Sequence, residues 1–187
     1  MDELQKIIRA AADSNGPISR EQVRKWIRDA RDVQTLALLY SLTDKAWHRI
    51  DPVLETDETC HLICRYFLDC IRENPQGGIA LGRYDAAREL EGWIDHLSNM
   101  EGTEEILGGV TAAVTELFLS ADDDVRRAIE TGFLEHVFEQ SKLRPLFEHW
   151  AGDERLKDAW QRALEWGEAH PDAVKGFRER LSRLHEK

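Results

Sequence analysis

Hydrophobic and polar positions along the chain recur with the period of a helix almost throughout. In SREQVRKWIRDA, Val23, Trp26, Ile27 and Ala30 share one face, and Ser19 with Gln22 reads as a capping box that opens the helix. The apolar run DVQTLALLYSL predicts a buried helix. TDKAWHRID predicts a short helix closed by Pro52, because the residue before a proline is pushed out of the helical region. TDETCHLICRYFLDCIREN carries a stripe of Cys60, Ile63, Cys64, Phe67, Leu68 and Ile71, with Thr56 or Asp57 as its cap and Pro75 beyond its end. The same period runs through GRYDAARELEGWIDHLSNM and TEEILGGVTAAVTELFLS. PQGGIALG is the clearest loop, and Gly152 and Pro171 punctuate three further helices at about 142–150, 154–168 and 172–185.

The stretch DDDVRRAIETGFLEHVFE, residues 122–139, is apolar on more than one side. At about 100° per residue, Val125, Ala128, Ile129, Gly132, Phe133 and His136 form one stripe, while Leu134 and Phe138 lie opposite, so a central, deeply buried helix is expected. Asp122, Asp123 and Asp124 suit its positive N-terminal end. A glycine at 132 costs about 1 kcal/mol relative to alanine, a cost that a close helix crossing would explain. His136 faces inward and reads as a packing histidine, neutral, with both ring nitrogens hydrogen-bonded. Glu135 and Glu139 fall to one side of it, and a functional role would need a second buried polar group.

No segment alternates as a strand does, so the fold class is all-α. Long helices beginning near residues 56, 82, 103 and 122, joined by short loops, should pack as antiparallel neighbours, and pairing them gives a spacing of roughly 40–47 residues, the range of HEAT-type repeats. The expected architecture is an antiparallel helical bundle or a short HEAT-like array of about ten helices. The 187 residues fit a single domain, or one in which residues 1–55 form an N-terminal subdomain.

Charge narrows the function. Residues 51–152 hold 21 acids against 8 bases in a chain of net charge −11, whereas residues 1–50 and 153–187 are close to balanced. Such a field repels nucleic acid and anionic membranes and favours a basic protein partner. The candidate contact residues are the acids expected to lie off the apolar stripes, Asp85, Glu89, Asp95 and Glu116, with Glu101, Glu104 and Glu105 at a helix junction. The opening MDELQKIIRAAADSNG lacks the apolar run of a signal peptide, and no stretch approaches the roughly 18 apolar residues of a membrane span, so a cytoplasmic location is expected. Cys60, Cys64 and Cys70 are an odd set on one helix and should be reduced thiols.

Reaction chemistry is weakly represented. Glu58 and His61 match the Glu-x-x-His element that di-iron bundles use twice, but it occurs once here. Cys60, His61 and Cys64 are one ligand short of structural zinc, and both cysteines sit on the apolar stripe. Gly77-Gly78 and Gly108-Gly109 lack the lysine and preceding strand of a phosphate loop. No catalytic residue, metal or cofactor is expected.

Three segments, GRYDAARELEGWIDHL, IETGFLEHVFE and LRPLFEHWAGDERLKDAWQRALEWG, resemble a little-characterised family of bacterial all-helical proteins over about residues 82–168. Its pattern has an R-Y-[DE]-A-A block with a following Trp, a G-x-L-E-H-x-F-E helix and an F-x-x-W segment. The resemblance implies an immunity protein of the kind encoded beside polymorphic toxins, which binds and blocks a toxin domain; it implies no catalytic residues. The expected function is therefore neutralisation of a cognate, basic toxin by an acidic surface. The alternatives are a small-molecule-binding or enzymatic bundle with a pocket around His136, Tyr84 and the tryptophans, and a generic HEAT-like scaffold.

Overall fold

The computed structural model describes residues 2–170, and these are almost entirely helical. The helices are α1 (Glu3–Asp13), α2 (Arg20–Asp29), α3 (Val33–Ala46), α4 (Thr56–Glu73), α5 (Arg83–Ser98), α6 (Glu104–Ser120), α7 (Asp123–Ile129), α8 (Glu135–Glu139) and α9 (Lys157–Ala169). A π-helical turn, Glu130–Leu134, joins α7 to α8, and a 3-10 helix, Arg144–Gly152, precedes α9. The fold is all-α, as the periodicity predicts. The helix expected at 172–185 lies outside the described residues. No described helix is long and apolar enough to cross a membrane.

The chain divides into two compact units, Met1–Ala86 and Ala87–Lys187. Within the first unit α3 packs along α4. There the core is Leu36, Leu39 and Leu42 of α3 with Leu62, Phe67 and Ile71 of α4, and the rings of Tyr40 and Tyr66 stack at 4.9 Å. Burying each such aliphatic or aromatic side chain contributes roughly 1.5–3 kcal/mol.

Four local expectations change in this unit. TDKA does not start a new helix: Leu39, Leu42, Thr43 and Ala46 keep one buried stripe, so α3 runs on to Ala46 before a 3-10 turn at Trp47–Arg49. Ile50–Asp51 then pairs in parallel with Ile18–Ser19, a two-residue bridge too short to be legible as strand alternation. Ser19 is the N-cap residue of α2, but its side chain makes no capping bond. The cap of α4 is Glu55 rather than Thr56 or Asp57, with the Glu58 carboxylate accepting the Glu55 N–H at 2.9 Å.

In the second unit, Phe133, Phe147 and Trp150 meet edge to face, each pair of ring centroids 5.6 Å apart along Phe133–Phe147 and Phe147–Trp150. Residues three apart eclipse in a 3-10 helix, which is why Phe147 and Trp150 are both fully buried on one side of Arg144–Gly152. Gly132 sits, buried, in the π turn. A close helix approach is found at Gly167, where a Cβ would stand 2.3 Å from the Phe138 carbonyl oxygen.

A recurring device closes the helices. The last carbonyls of a helix lack intrahelical partners, and here arginines from elsewhere supply them. Arg49 donates to Ala11 O and Ala12 O at 2.6 and 2.9 Å at the end of α1. Arg65 donates to Ile27 O and Ala30 O at 2.8 and 2.7 Å at the end of α2. Arg83 closes α4 through Ile71 O at 2.6 Å, Arg126 closes α6 through Phe118 O at 3.0 Å, and Arg144 closes α8 through Phe138 O at 2.7 Å.

Candidate functional site

The arginine caps bear directly on the acidic segment. Of its eight bases, Arg65, Arg83, Arg126 and Arg144 are aimed at backbone carbonyls, Arg72 pairs with Asp69 at 2.9 Å, and Lys142 pairs with Asp95 at 2.6 Å. Six of the candidate contact acids, Asp85, Glu89, Glu101, Glu104, Glu105 and Glu116, are exposed. Among the described residues none of the six has an ion pair with a lysine, arginine or histidine.

Asp95 is the correction. It is only 4 % exposed, held by Lys142, and it cannot serve as an open contact residue. Its neighbour one helical turn back, Glu91, is likewise buried and accepts Gln140 Nε2–H at 2.6 Å. A signal for Glu91 existed: it stands four residues after Ala87 and three before Ile94, both fully buried, so it shares their face.

Helix α6 carries the most coherent outward face. Leu107, Val110, Thr111, Val114, Leu117 and Phe118 point inward. The opposite side presents Glu104 and Glu105, then Gly108, Gly109 and Ala112, then Glu116. A Cβ at either glycine would meet nothing within 4 Å. No internal contact therefore requires glycine there, although each one costs the helix roughly 0.5–1 kcal/mol relative to alanine. Just before this face the chain turns at Gly102, φ +75°, and the buried Thr103 hydroxyl ties the turn to Leu97 O at 2.7 Å. That turn exposes Glu101, Glu104 and Glu105 together.

Along the last two turns of α6 lies a cavity of about 470 Å³, lined by Ala112, Thr115, Glu116, Leu119, Ser120 and His149. The Thr115 hydroxyl belongs to one of its lining residues. It donates to Thr111 O at 2.7 Å, accepts Trp150 Nε1–H at 2.8 Å, and lies 3.2 Å from His149 Nε2.

His136 is not surrounded by apolar groups alone. Its Nδ1 lies 2.8 Å from Glu139 Oε1, and that same oxygen accepts Trp166 Nε1–H at 3.0 Å. Glu139 is buried, contrary to its placement on a uniform helical wheel, because the wider π turn re-phases every residue after it. Burial foremost, and then the nearby Arg88, hold the His136 pKa below its ordinary value against the opposing pull of Glu139. Tyr84 is exposed and belongs to the first unit.

The metal-like motifs are otherwise engaged. Glu58 pairs with Arg24; Cys60 is buried as the apolar stripe predicts, Cys64 on the same stripe is only half-buried, and Cys70, off the stripe, is buried. Burial pushes the Cys64 thiol up to about 11 and the Cys70 thiol up to about 12. Among the described residues no three His, Cys, Asp or Glu side chains are grouped to hold a metal ion. Comparison of the chain with protein-family models, with curated proteins and with solved structures finds no match.

Proposed function

We propose that this is a cytoplasmic, immunity-like protein that neutralises a basic toxin domain by covering it with an acidic surface. The observation that carries the reading is the outward face of α6 and the turn before it: exposed carboxylates with no described counter-ion flank a strip of glycine and alanine. Carboxylates in this state steer a cationic partner toward the surface, and a strip without side chains lets its backbone come close. The resemblance of residues 82–168 to immunity proteins points the same way.

The test is co-expression with the protein encoded beside it, read as restored growth, together with the salt dependence of association. Protection and an association rate that falls steeply with salt are expected, with loss of both in a triple variant Glu104→Lys, Glu105→Lys, Glu116→Lys of unchanged helicity. Protection that survives this reversal, or association indifferent to salt, removes the acidic-face reading.

A second reading, a ligand-binding or enzymatic bundle, is favoured by the His136–Glu139–Trp166 cluster. In the neutral ring, Nδ1–H donates to the carboxylate and Nε2 is the acceptor, the arrangement that orients a histidine base. A screen in which small molecules shift the His136 ring resonances supports it, and His136→Gln retaining every such shift ends it.

A further inference from the structure

We infer that the cavity beside the last turns of α6 receives an arginine side chain of the basic partner. This deepens the acidic-face reading and rests on it for the source of the arginine. The inference follows from the hydrogen-bonding state of each polar group on the wall. A hydroxyl has one proton and two lone pairs. The Thr115 proton is directed to Thr111 O, and one lone pair takes Trp150 Nε1–H, so the bond to His149 must be donated by His149 Nε2–H. In the tautomer that donates from Nε2, the ring's acceptor is Nδ1. Ser120 donates its own proton to Glu116 O at 2.8 Å, leaving only lone pairs. Glu116 contributes a carboxylate without a described counter-ion.

Every unsatisfied polar group on this wall is an acceptor, and the remaining lining, Ala112 and Leu119, is apolar. An occupant must bring several donors, positive charge and an aliphatic stem. An arginine side chain has all three, with five N–H donors spread over a planar, weakly hydrated cation, whereas an ammonium concentrates its donors at one point. Buried arginines are also frequent energetic anchors of protein interfaces.

The experiment needs no partner. The isotope-labelled full chain is titrated with N-acetyl-arginine amide and, separately, with the uncharged isostere N-acetyl-citrulline amide, followed by chemical shifts. Saturable shifts at Thr115, Glu116, Ser120 and His149 are expected, with the arginine compound binding on the order of tenfold more tightly than citrulline, about 1.4 kcal/mol. Glu116→Gln, an exposed position that does not threaten folding, should remove most of that difference, and Ala112→Met should block both compounds. Equal response to citrulline, shifts spread evenly over the exposed carboxylates, or binding unaffected by Glu116→Gln overturns the inference. Such an outcome leaves the toxin-protection assay free to succeed, so the two failures are distinguishable.

Discussion

Gly167 lies against the carbonyl of Phe138 so closely that a Cβ at 167 would stand 2.3 Å from the oxygen, the same oxygen that accepts Arg144 Nε–H. The obstacle is backbone at a helix end, which cannot swing aside as a side chain would. Gly167→Ala is therefore expected to destabilise by about 1–3 kcal/mol, although alanine is the better helix former. Gly108→Ala and Gly109→Ala, with open space at Cβ, should each stabilise by about 0.5–1 kcal/mol. Denaturant midpoints check both signs, and a Gly167→Ala protein as stable as the parent would mean that α9 does not approach α8 this closely.

His136 sets a pH dependence. Its folded pKa lies below the ordinary value, so the unfolded chain binds the proton first and this contribution is lost as pH falls from about 6.5 through the folded pKa. Glu135 acts in the opposite sense. Burial first, then Glu130 and Glu139, raise its pKa, so it favours the folded state in acid and disfavours it as pH rises. His136→Gln keeps a donor for Glu139 but cannot titrate. Between about pH 7.5 and about pH 5.5 it should lose less unfolding free energy than the parent; equal losses would clear His136 of the effect.

Asp95 should report on folding rather than on binding. Lys142→Met leaves a nearly buried carboxylate without its cation and should cost about 1–3 kcal/mol. Asp95→Lys, which sets two cations facing each other, should cost more. If Asp95→Lys keeps full stability and loses only partner protection, its assignment as a buried structural acid fails.

The three cysteines should be poor nucleophiles in the native protein. With Cys64 raised to about 11 and Cys70 to about 12, the thiolate is scarce at neutral pH, and labelling should run on the order of 10²–10³ slower than for a free thiol of pKa about 8.5. Denaturation should make all three titratable at ordinary rates. Rapid native labelling of Cys70 would show that α4 opens readily.

The sequence by itself determined the helices and their buried faces, because a helix returns to the same side every 3.6 residues whatever it packs against. The stripe on α6 needed no neighbour to be read, nor did the acidic excess or the exposure of Glu104, Glu105 and Glu116; on α4 the stripe was read in part, since Leu62, Tyr66 and Cys70 are buried beside it while Ile63 and Cys64 are half-buried. Tertiary structure decided what depends on groups distant in sequence. Asp95 is buried because Lys142, on another segment, reaches it. The close approach at Gly167 exists because α9 returns along α8. The buried turn of Glu139 follows from a π segment that periodicity assumes away. The arginines reach helix ends that only folding brings near, so charge counted along the chain could not show which carboxylates stay without a cation. An ion pair or a cap requires two groups at bonding distance, and that distance is set by the packing of helices, not by their order in the chain.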